Sequence, residues 1–227
     1  SLTFSVKEAL NTEIASNAKE LLGGDIQIDS DIEPLPPKVI DQFNALGKVS
    51  AAIEFATMLS KEGESPVFTE LRAVDNNYPL YGEIETIPEG MANIIFSSSL
   101  KPHVLINESI QNLLNLAPGD DVTIMGQKFE VAGLVSSVPD LAESAVFGEF
   151  AIISMDSYEQ FGLSSGGSFL DHKYRIKFNN SSQPQEPEAI VNSIIAYDDT
   201  IKTRLPGQSG RRLSSVIDNF SNFLNLV

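Results

Sequence analysis

The sequence contains no cysteine and no tryptophan, and its basic side chains are few. Without cysteine the chain forms no disulfide and uses no thiolate chemistry. Lysine and arginine together number 15 against 31 aspartate and glutamate residues, so the formal net charge is -16. Because nucleic acid binding depends on clustered lysine and arginine, this balance argues against DNA and RNA as partners.

Long apolar runs are also missing from the sequence. The longest, at 51–56 and 145–155, are too short or too interrupted to cross the roughly 30 Å of a bilayer's hydrocarbon core. A length of 227 residues with 42% hydrophobic content is enough for one large domain or two small ones. The chain begins at Ser1 and carries no basic and apolar leader, so we expect a piece of a longer protein.

Patterns that support catalysis or metal binding are weak. The two histidines, His103 and His172, stand on separate segments without a nearby histidine or cysteine, which disfavours a zinc site. The acids Asp25, Asp29 and Asp31 lack the glycine and glutamate spacing of a calcium loop. No Gly-x-x-x-x-Gly-Lys nucleotide loop occurs, so any ATP would be bound by a separate chain. We expect no catalytic residue, no metal site and no cofactor in this chain.

Apolar residues near the N-terminus repeat with helical spacing. Steps of four and three residues predict a helix that ends at Gly23 and Gly24. These positions are Val6, Leu10, Ile14, Ala18 and Leu21. Directly after the glycines, Ile26 and Ile28 alternate with polar residues, which predicts a strand with one face buried.

The rest of the chain alternates helical and extended patterns. We predict further helices at 37–45, 108–116, 156–161 and from Pro187 through Ile194. Strands are predicted at 48–59, 69–74, 81–87, 103–106, 122–124, 129–135, 150–153, 173–178 and 201–205. Because short strands crowd the middle of the chain, we predict an α+β fold. In it, a mixed α/β subdomain of residues 1–87 and 168–227 is interrupted by an inserted β-rich subdomain of residues 88–167.

The C-terminal residues form a second helical seam. Apolar side chains recur at steps of three and four, the spacing of a helix that faces another helix. They are Leu213, Val216, Phe220, Phe223 and Val227. No glycine, proline or basic cap ends this pattern, so we expect both terminal helices to continue into the membrane. The alternative is that both are ordinary terminal helices packed on the core.

Several stretches together resemble one family. They are 19–28, 55–59, 70–75, 78–82, 118–120 and 133–140, the last with Val138 where an acid is usual. The sequence is similar to the extracytoplasmic domain of ABC transporter permeases in the superfamily of MacB, the lipoprotein-release permeases and FtsX. Within that superfamily it most resembles the YbbP-type branch.

The resemblance implies a MacB-like periplasmic core domain with a porter-like and a sabre-like subdomain, joined to flanking transmembrane helices at the inner membrane. It implies a permease dimer, a cytoplasmic ABC ATPase and a periplasmic lysophospholipase or thioesterase as partners. The implied function is transmission of ATP-driven motion to a hydrophobic or lipid-like substrate. The alternative is a stand-alone secreted module that binds a ligand or protein without catalysis.

Eight residues are candidates for an interface or for coupling. They are Arg72, Asp75, Tyr78, Tyr81, Leu213, Val216, Phe220 and Phe223. We expect Arg72 and Asp75 to pair and to stabilise the turn that follows them. Tyr78 and Tyr81 either form an exposed contact surface or fill the junction between the subdomains, and we favour the second interpretation.

Overall fold

The structure, a computed structural model, describes residues 17–31, 33–140, 148–160, 162 and 170–208, together with 9 and 13–14. Its strands are β1 (Ile26–Ser30), β2 (Gly47–Ser60), β3 (Val67–Val74), β4 (Glu85–Ile87), β5 (His103–Ile106), β6 (Asp121–Ile124), β7 (Gln127–Ser137), β8 (Phe150–Ser154), β9 (Asp171–Phe178) and β10 (Lys202–Arg204). Its helices are α1 (Pro37–Leu46), α2 (Glu108–Leu114), α3 (Met155–Gln160) and α4 (Gln185–Ile195), with a 3-10 helix at Ala92–Phe96.

The ten strands of the described residues join in one sheet. Their order is β10-β1-β9-β2-β3-β8-β5-β7-β4, and β6 pairs with β2 and β7 beside this path. Most neighbours are antiparallel, whereas β8 runs parallel to β3 and β5 runs parallel to β7. Helices are interspersed among the strands of this large mixed sheet, and the α+β class predicted from the sequence is confirmed.

The long strand β2 connects two parts of the sheet. Its first half pairs with β9 and its second half pairs with β3, over registers 47–54 and 52–59 respectively. One apolar core lies under β1, β9, α1 and α4, with Phe43 and Ile176 fully buried. A second core lies under β5 to β8 and α2. Because β2 contributes side chains to both cores, a side chain near the middle of β2 lies between the two cores.

The predicted N-terminal helix falls only partly within the described residues. Residues 17–22 are helical, and the helix ends where expected, at Gly23 with φ of 81°. The Lys19 carbonyl accepts hydrogen bonds from the backbone N–H groups of Gly23 at 2.8 Å and Gly24 at 3.1 Å. A glycine with positive φ that closes the last turn in this way is a common helix terminator.

Strand β1 differs from the prediction because both of its faces are buried. The polar residues Gln27 and Asp29 are each 5% exposed. The Gln27 amide donates to Asp29 Oδ1 at 2.7 Å, and Arg204 Nε lies 3.0 Å from Asp29 Oδ2. The polar face is therefore covered by charged neighbours rather than by water, which an alternating pattern does not reveal.

Two predicted element boundaries are wrong. The strand predicted at 81–87 is present only at 85–87, since residues 78–82 form a loop that turns at Gly82 with φ of 70°. Helix α2 ends at Leu114 because Asn115 adopts a left-handed conformation with φ of 48°. The subdomain boundaries at residues 87 and 168 stay a prediction, and the sheet runs continuously through both parts.

Candidate functional site

A buried group of charges lies where the two parts of the sheet meet. Glu54 on β2 and Arg72 on β3 are direct cross-strand partners, and Arg72 Nη2 lies 2.7 Å from Glu54 Oε1. Lys173 on β9 binds the other oxygen of the same carboxylate. Arg72 is 2% exposed and Glu54 is 5% exposed, so both charges depend on protein partners rather than on water.

Asp140 joins the same group from the loop that follows β7. Its Oδ1 lies 2.9 Å from Arg72 Nη1 and its Oδ2 lies 2.8 Å from Arg175 Nη2. The Tyr78 hydroxyl donates to Asp140 Oδ1 at 2.5 Å and accepts from Arg72 Nη1 at 2.8 Å. One carboxylate therefore connects β3, β9 and the 78–82 loop.

The electrostatics of this group keep its charges ionised. Burial by itself raises the pKa of Asp140, but the Arg72 and Arg175 guanidinium groups outweigh it and hold that pKa below its ordinary value. For Glu54, burial is likewise outweighed by the Arg72 and Lys173 cations, and its pKa is lowered. Burial raises the pKa of Tyr78, so its hydroxyl stays protonated and remains a donor.

The end of the N-terminal helix rests directly on these charges. Arg175 Nε donates to the Leu22 carbonyl at 3.0 Å. A Cβ placed at Gly23 would lie 2.9 Å from Arg175 Cδ and 3.1 Å from Asp140 Cβ, so a side chain there would push both of these residues away. Glycine at position 23 thus allows the helix end to approach both charged side chains.

A second polar group surrounds Asp25, which is 1% exposed and directly precedes β1. Its Oδ1 accepts from the Tyr81 hydroxyl at 2.8 Å and lies 3.0 Å from Lys19 Nζ. Its Oδ2 accepts from the Ser181 hydroxyl at 2.7 Å and from the backbone N–H of Phe178 at 2.8 Å. This group links the helix to the 78–82 loop and to the turn after β9.

The expected pair of Arg72 and Asp75 does not form. Asp75 instead accepts from the backbone N–H of Ala51 at 2.8 Å, from the Ser50 hydroxyl at 2.9 Å and from the N–H of Asn77 at 3.1 Å. Burial raises the pKa of Asp75. Arg72 is occupied by Glu54 and Asp140, and Asp75 attaches the turn to β2 by hydrogen bonds.

The two tyrosines occupy different depths. Tyr78 is 5% exposed and lies inside the junction, where the Arg72 guanidinium stands 5.8 Å from the centre of its ring. Tyr81 is half-buried at the rim, and burial raises its pKa to about 12. The Lys177 ammonium lies 4.6 Å from the centre of the Tyr81 ring. The candidates Leu213, Val216, Phe220 and Phe223 lie outside the described residues.

Sequence reasoning missed the acids and cations that complete the site. They are Asp25, Glu54, Asp140, Lys173 and Arg175. Asp25 and Asp140 stand within the stretches 19–28 and 133–140 that carry the family resemblance, so a signal was available for these two. The other three lie in regular strands, where a charged residue is ordinarily assigned to the solvent face. Four of the resembling stretches, 19–28, 70–75, 78–82 and 133–140, meet around the Asp140 carboxylate.

In the described part of the chain, no three or more histidine, aspartate or glutamate side chains come together as metal ligands would. None of the helices within the described ranges combines the length and the apolar character that crossing a bilayer requires.

The fold is that of periplasmic and extracellular domains of ABC-type transporters. The periplasmic region of MacB from Actinobacillus actinomycetemcomitans superposes with a TM-score of 0.54 and 12% identity, covering 89% of this chain and 98% of that one. The extracellular domain of the noncanonic ABC-type transporter YknZ from Gram-positive bacteria gives a TM-score of 0.53 and 12% identity, covering 79% and 99%. The MacB-like fold expected from the sequence is confirmed.

A curated relative agrees with the branch predicted from the sequence. The uncharacterized ABC transporter permease YbbP of Escherichia coli (strain K12) is 29% identical over 186 residues, which cover 78% of this chain. The chain spans only 21% of the length of that relative. No family model matches the chain. The resemblance to this branch of permeases is confirmed.

The lowered pKa of Asp140 predicts a pH-dependent stability. Its ionised form stabilises the folded chain above the unfolded pKa of about 3.9, and this contribution is lost as pH falls through that value towards the lower pKa of the folded state. We expect Asp140→Asn to be destabilised at pH 7 by about 3–5 kcal/mol, since buried Arg175 loses its carboxylate partner and buried Arg72 keeps only Glu54. As pH falls below about 5, the free energy of unfolding of the variant should decline less steeply than that of the wild type. The two slopes should differ by up to about 1.4 kcal/mol per pH unit.

Urea unfolding at a series of pH values measures both effects. The control is Asp41→Asn, because Asp41 is an exposed aspartate on α1. Equal pH slopes for wild type and Asp140→Asn would contradict the electrostatic account of the site.

Proposed function

We propose that the chain is the extracytoplasmic domain of an ABC-type export permease. In this role it transmits ATP-driven motion of the membrane helices to a hydrophobic or lipid-like substrate or to a periplasmic partner. The similarity to YbbP and the MacB-like fold support the permease assignment. The contact between the helix end and the buried charges supports the mechanical role.

That contact is the observation that carries the proposal. Arg175 binds the last carbonyl of the helix with Nε and binds Asp140 with Nη2. A displacement of the helix end therefore displaces β9 directly through Arg175. It is passed on through Asp140 to β3 and to the 78–82 loop. Because breaking a buried ion pair costs about 3–5 kcal/mol, these parts move together before they separate.

The proposal places the domain on the periplasmic side of the inner membrane, between flanking transmembrane helices. Its partners are a second copy of the permease, a cytoplasmic ABC ATPase that binds ATP, and a periplasmic lysophospholipase or thioesterase. The name of the relative, an ABC transporter permease, supports the second permease copy and the ATPase as partners. The hydrolase partner rests on the family resemblance alone.

A non-enzymatic role follows from the same proposal. The charged side chains of the site are occupied by one another, which suits a structural constraint rather than a reaction. A Gly-x-Ser-x-Gly spacing does occur at 162–166, and all of it except Gly162 lies outside the described residues. Hydrolysis of chromogenic esters that is lost in Ser164→Ala would contradict this role.

Translation of the reading frame on both sides of the chain tests the membrane placement. We expect apolar runs of about 20 residues before Ser1 and after Val227, since that length spans a bilayer as a helix. A cleavable leader before Ser1 and a stop codon after Val227 would instead favour the secreted binding module.

Movement of the domain on ATP binding tests the mechanical role. The full-length permease, with its ATPase in lipid nanodiscs, carries a spin label on Leu100→Cys, a fully exposed site in a chain without cysteine. We expect the distance between labels on the two protomers to shift when ATP is added. Tyr78→Phe, which removes the hydroxyl that donates to Asp140, should reduce this shift.

The control for this measurement is Tyr197→Phe, because Tyr197 is 59% exposed. It should keep the full ATP-dependent shift. A distance distribution that is the same with and without ATP in the wild type would overturn the mechanical role.

A further inference from the structure

The contacts of the helix end form two groups that differ in exposure. We define the pivot as Arg72, Asp140 and Arg175, and the latch as Lys19, Asp25, Tyr81 and Ser181. The side chains of the pivot are 1–4% exposed. In the latch Asp25 is as buried as the pivot, at 1% exposed, whereas the Lys19 side chain is 28% exposed and Tyr81 is half-buried. Water can replace the partners of the latch cation far more easily than those of the pivot.

The two groups bind different turns of the same helix. The pivot binds Leu22, its last residue, through Arg175. The latch binds Lys19, three residues earlier, through the Asp25 carboxylate at 3.0 Å and the Ser181 carbonyl at 2.6 Å. Residues three apart lie about one turn apart along a helix. The pivot therefore determines the position of the helix end. The latch holds a second point on the helix, one turn earlier, and so determines the direction of the helix.

The surroundings allow the helix to change direction without breaking the pivot. Gly23 and Gly24 separate the helix from β1, and glycine accepts a wide range of backbone conformations. Leu21 is 48% exposed, so one side of the last turn faces solvent. A Cβ at Gly82 would lie 2.7 Å from Glu20 Oε1, so the Glu20 side chain touches the 78–82 loop and must leave this contact when the helix turns.

We propose that the latch is a releasable contact that sets two orientations of the N-terminal helix about a permanent pivot. When the latch is closed, Lys19 and Tyr81 share Asp25 Oδ1. When it opens, residues 17–21 turn about Gly23 while Arg175 stays bound to Leu22 and Asp140. The inference rests on the proposed function for its meaning in transport, but the contact itself is a property of this chain alone.

Hydrogen exchange on the complete 227-residue chain tests the latch. Lys19→Met removes the ammonium that binds Asp25 and Ser181. We expect it to accelerate exchange at the amides of Gly23 and Gly24, which donate to the Lys19 carbonyl, by roughly two- to fivefold. The amides of β3 and β8 should exchange as in the wild type.

The chain offers a matched control in Lys61→Met. The Lys61 ammonium also binds one backbone carbonyl, of Asn115, and one carboxylate, of Asp120, with a side chain that is 27% exposed. This variant should leave the amides of Gly23 and Gly24 unchanged.

Two results would overturn the latch. Unchanged exchange at Gly23 and Gly24 in Lys19→Met would mean that the contact does not hold the helix. Equal acceleration in β3 and β8 would mean that latch and pivot open together in one cooperative step. Tyr81→Phe, which removes the second donor to Asp25 Oδ1, repeats the test without a change of charge. Neither result depends on ATP or on the full-length permease. The latch can therefore be overturned while the proposed function stands, and the proposed function can be overturned while the latch stands.

Discussion

A carboxylate taken out of water is stable in a protein only when fixed cations and donors replace its hydration. Asp140 meets this condition between Arg72 and Arg175, with the Tyr78 hydroxyl as a third partner. Each partner comes from a different part of the chain. The cost of separating any of them therefore opposes movement of the strands, the loop and the helix end relative to one another.

The sheet brings these partners together. Strand β2 is long enough to pair with β9 and with β3, so Glu54 lies next to both Arg72 and Lys173. The charges are arranged in alternating sign across the three strands, which lets the junction be buried without an unpaired carboxylate. An apolar junction would give comparable stability, but it would lack the directional contacts to the Leu22 carbonyl and to the 78–82 loop.

Much of the fold could be predicted from the sequence, because periodicity reports local structure. The strands at 103–106 and 173–178 and the helix from Pro37 were predicted close to their observed bounds. The site was predicted only in part, through Arg72, Tyr78 and Tyr81. Its remaining members are charged residues whose burial depends on partners from other elements of the fold, such as Asp140, which lies 68 positions from Arg72 in the sequence. Spacing along the chain carries no information on such contacts, and the expected neighbour Asp75 was the wrong partner for the same reason.

The central claim is that Asp140 and Arg175 stabilise the junction as a pair. A double-mutant cycle with Asp140→Leu and Arg175→Met, followed by urea unfolding at neutral pH, measures their coupling free energy directly. A buried pair predicts a coupling of about 2–3 kcal/mol, well above the roughly 0–1 kcal/mol expected of the more exposed pair Lys61 and Asp120 measured in the same way. A coupling below about 0.5 kcal/mol would mean that the two substitutions act independently, and it would contradict the account.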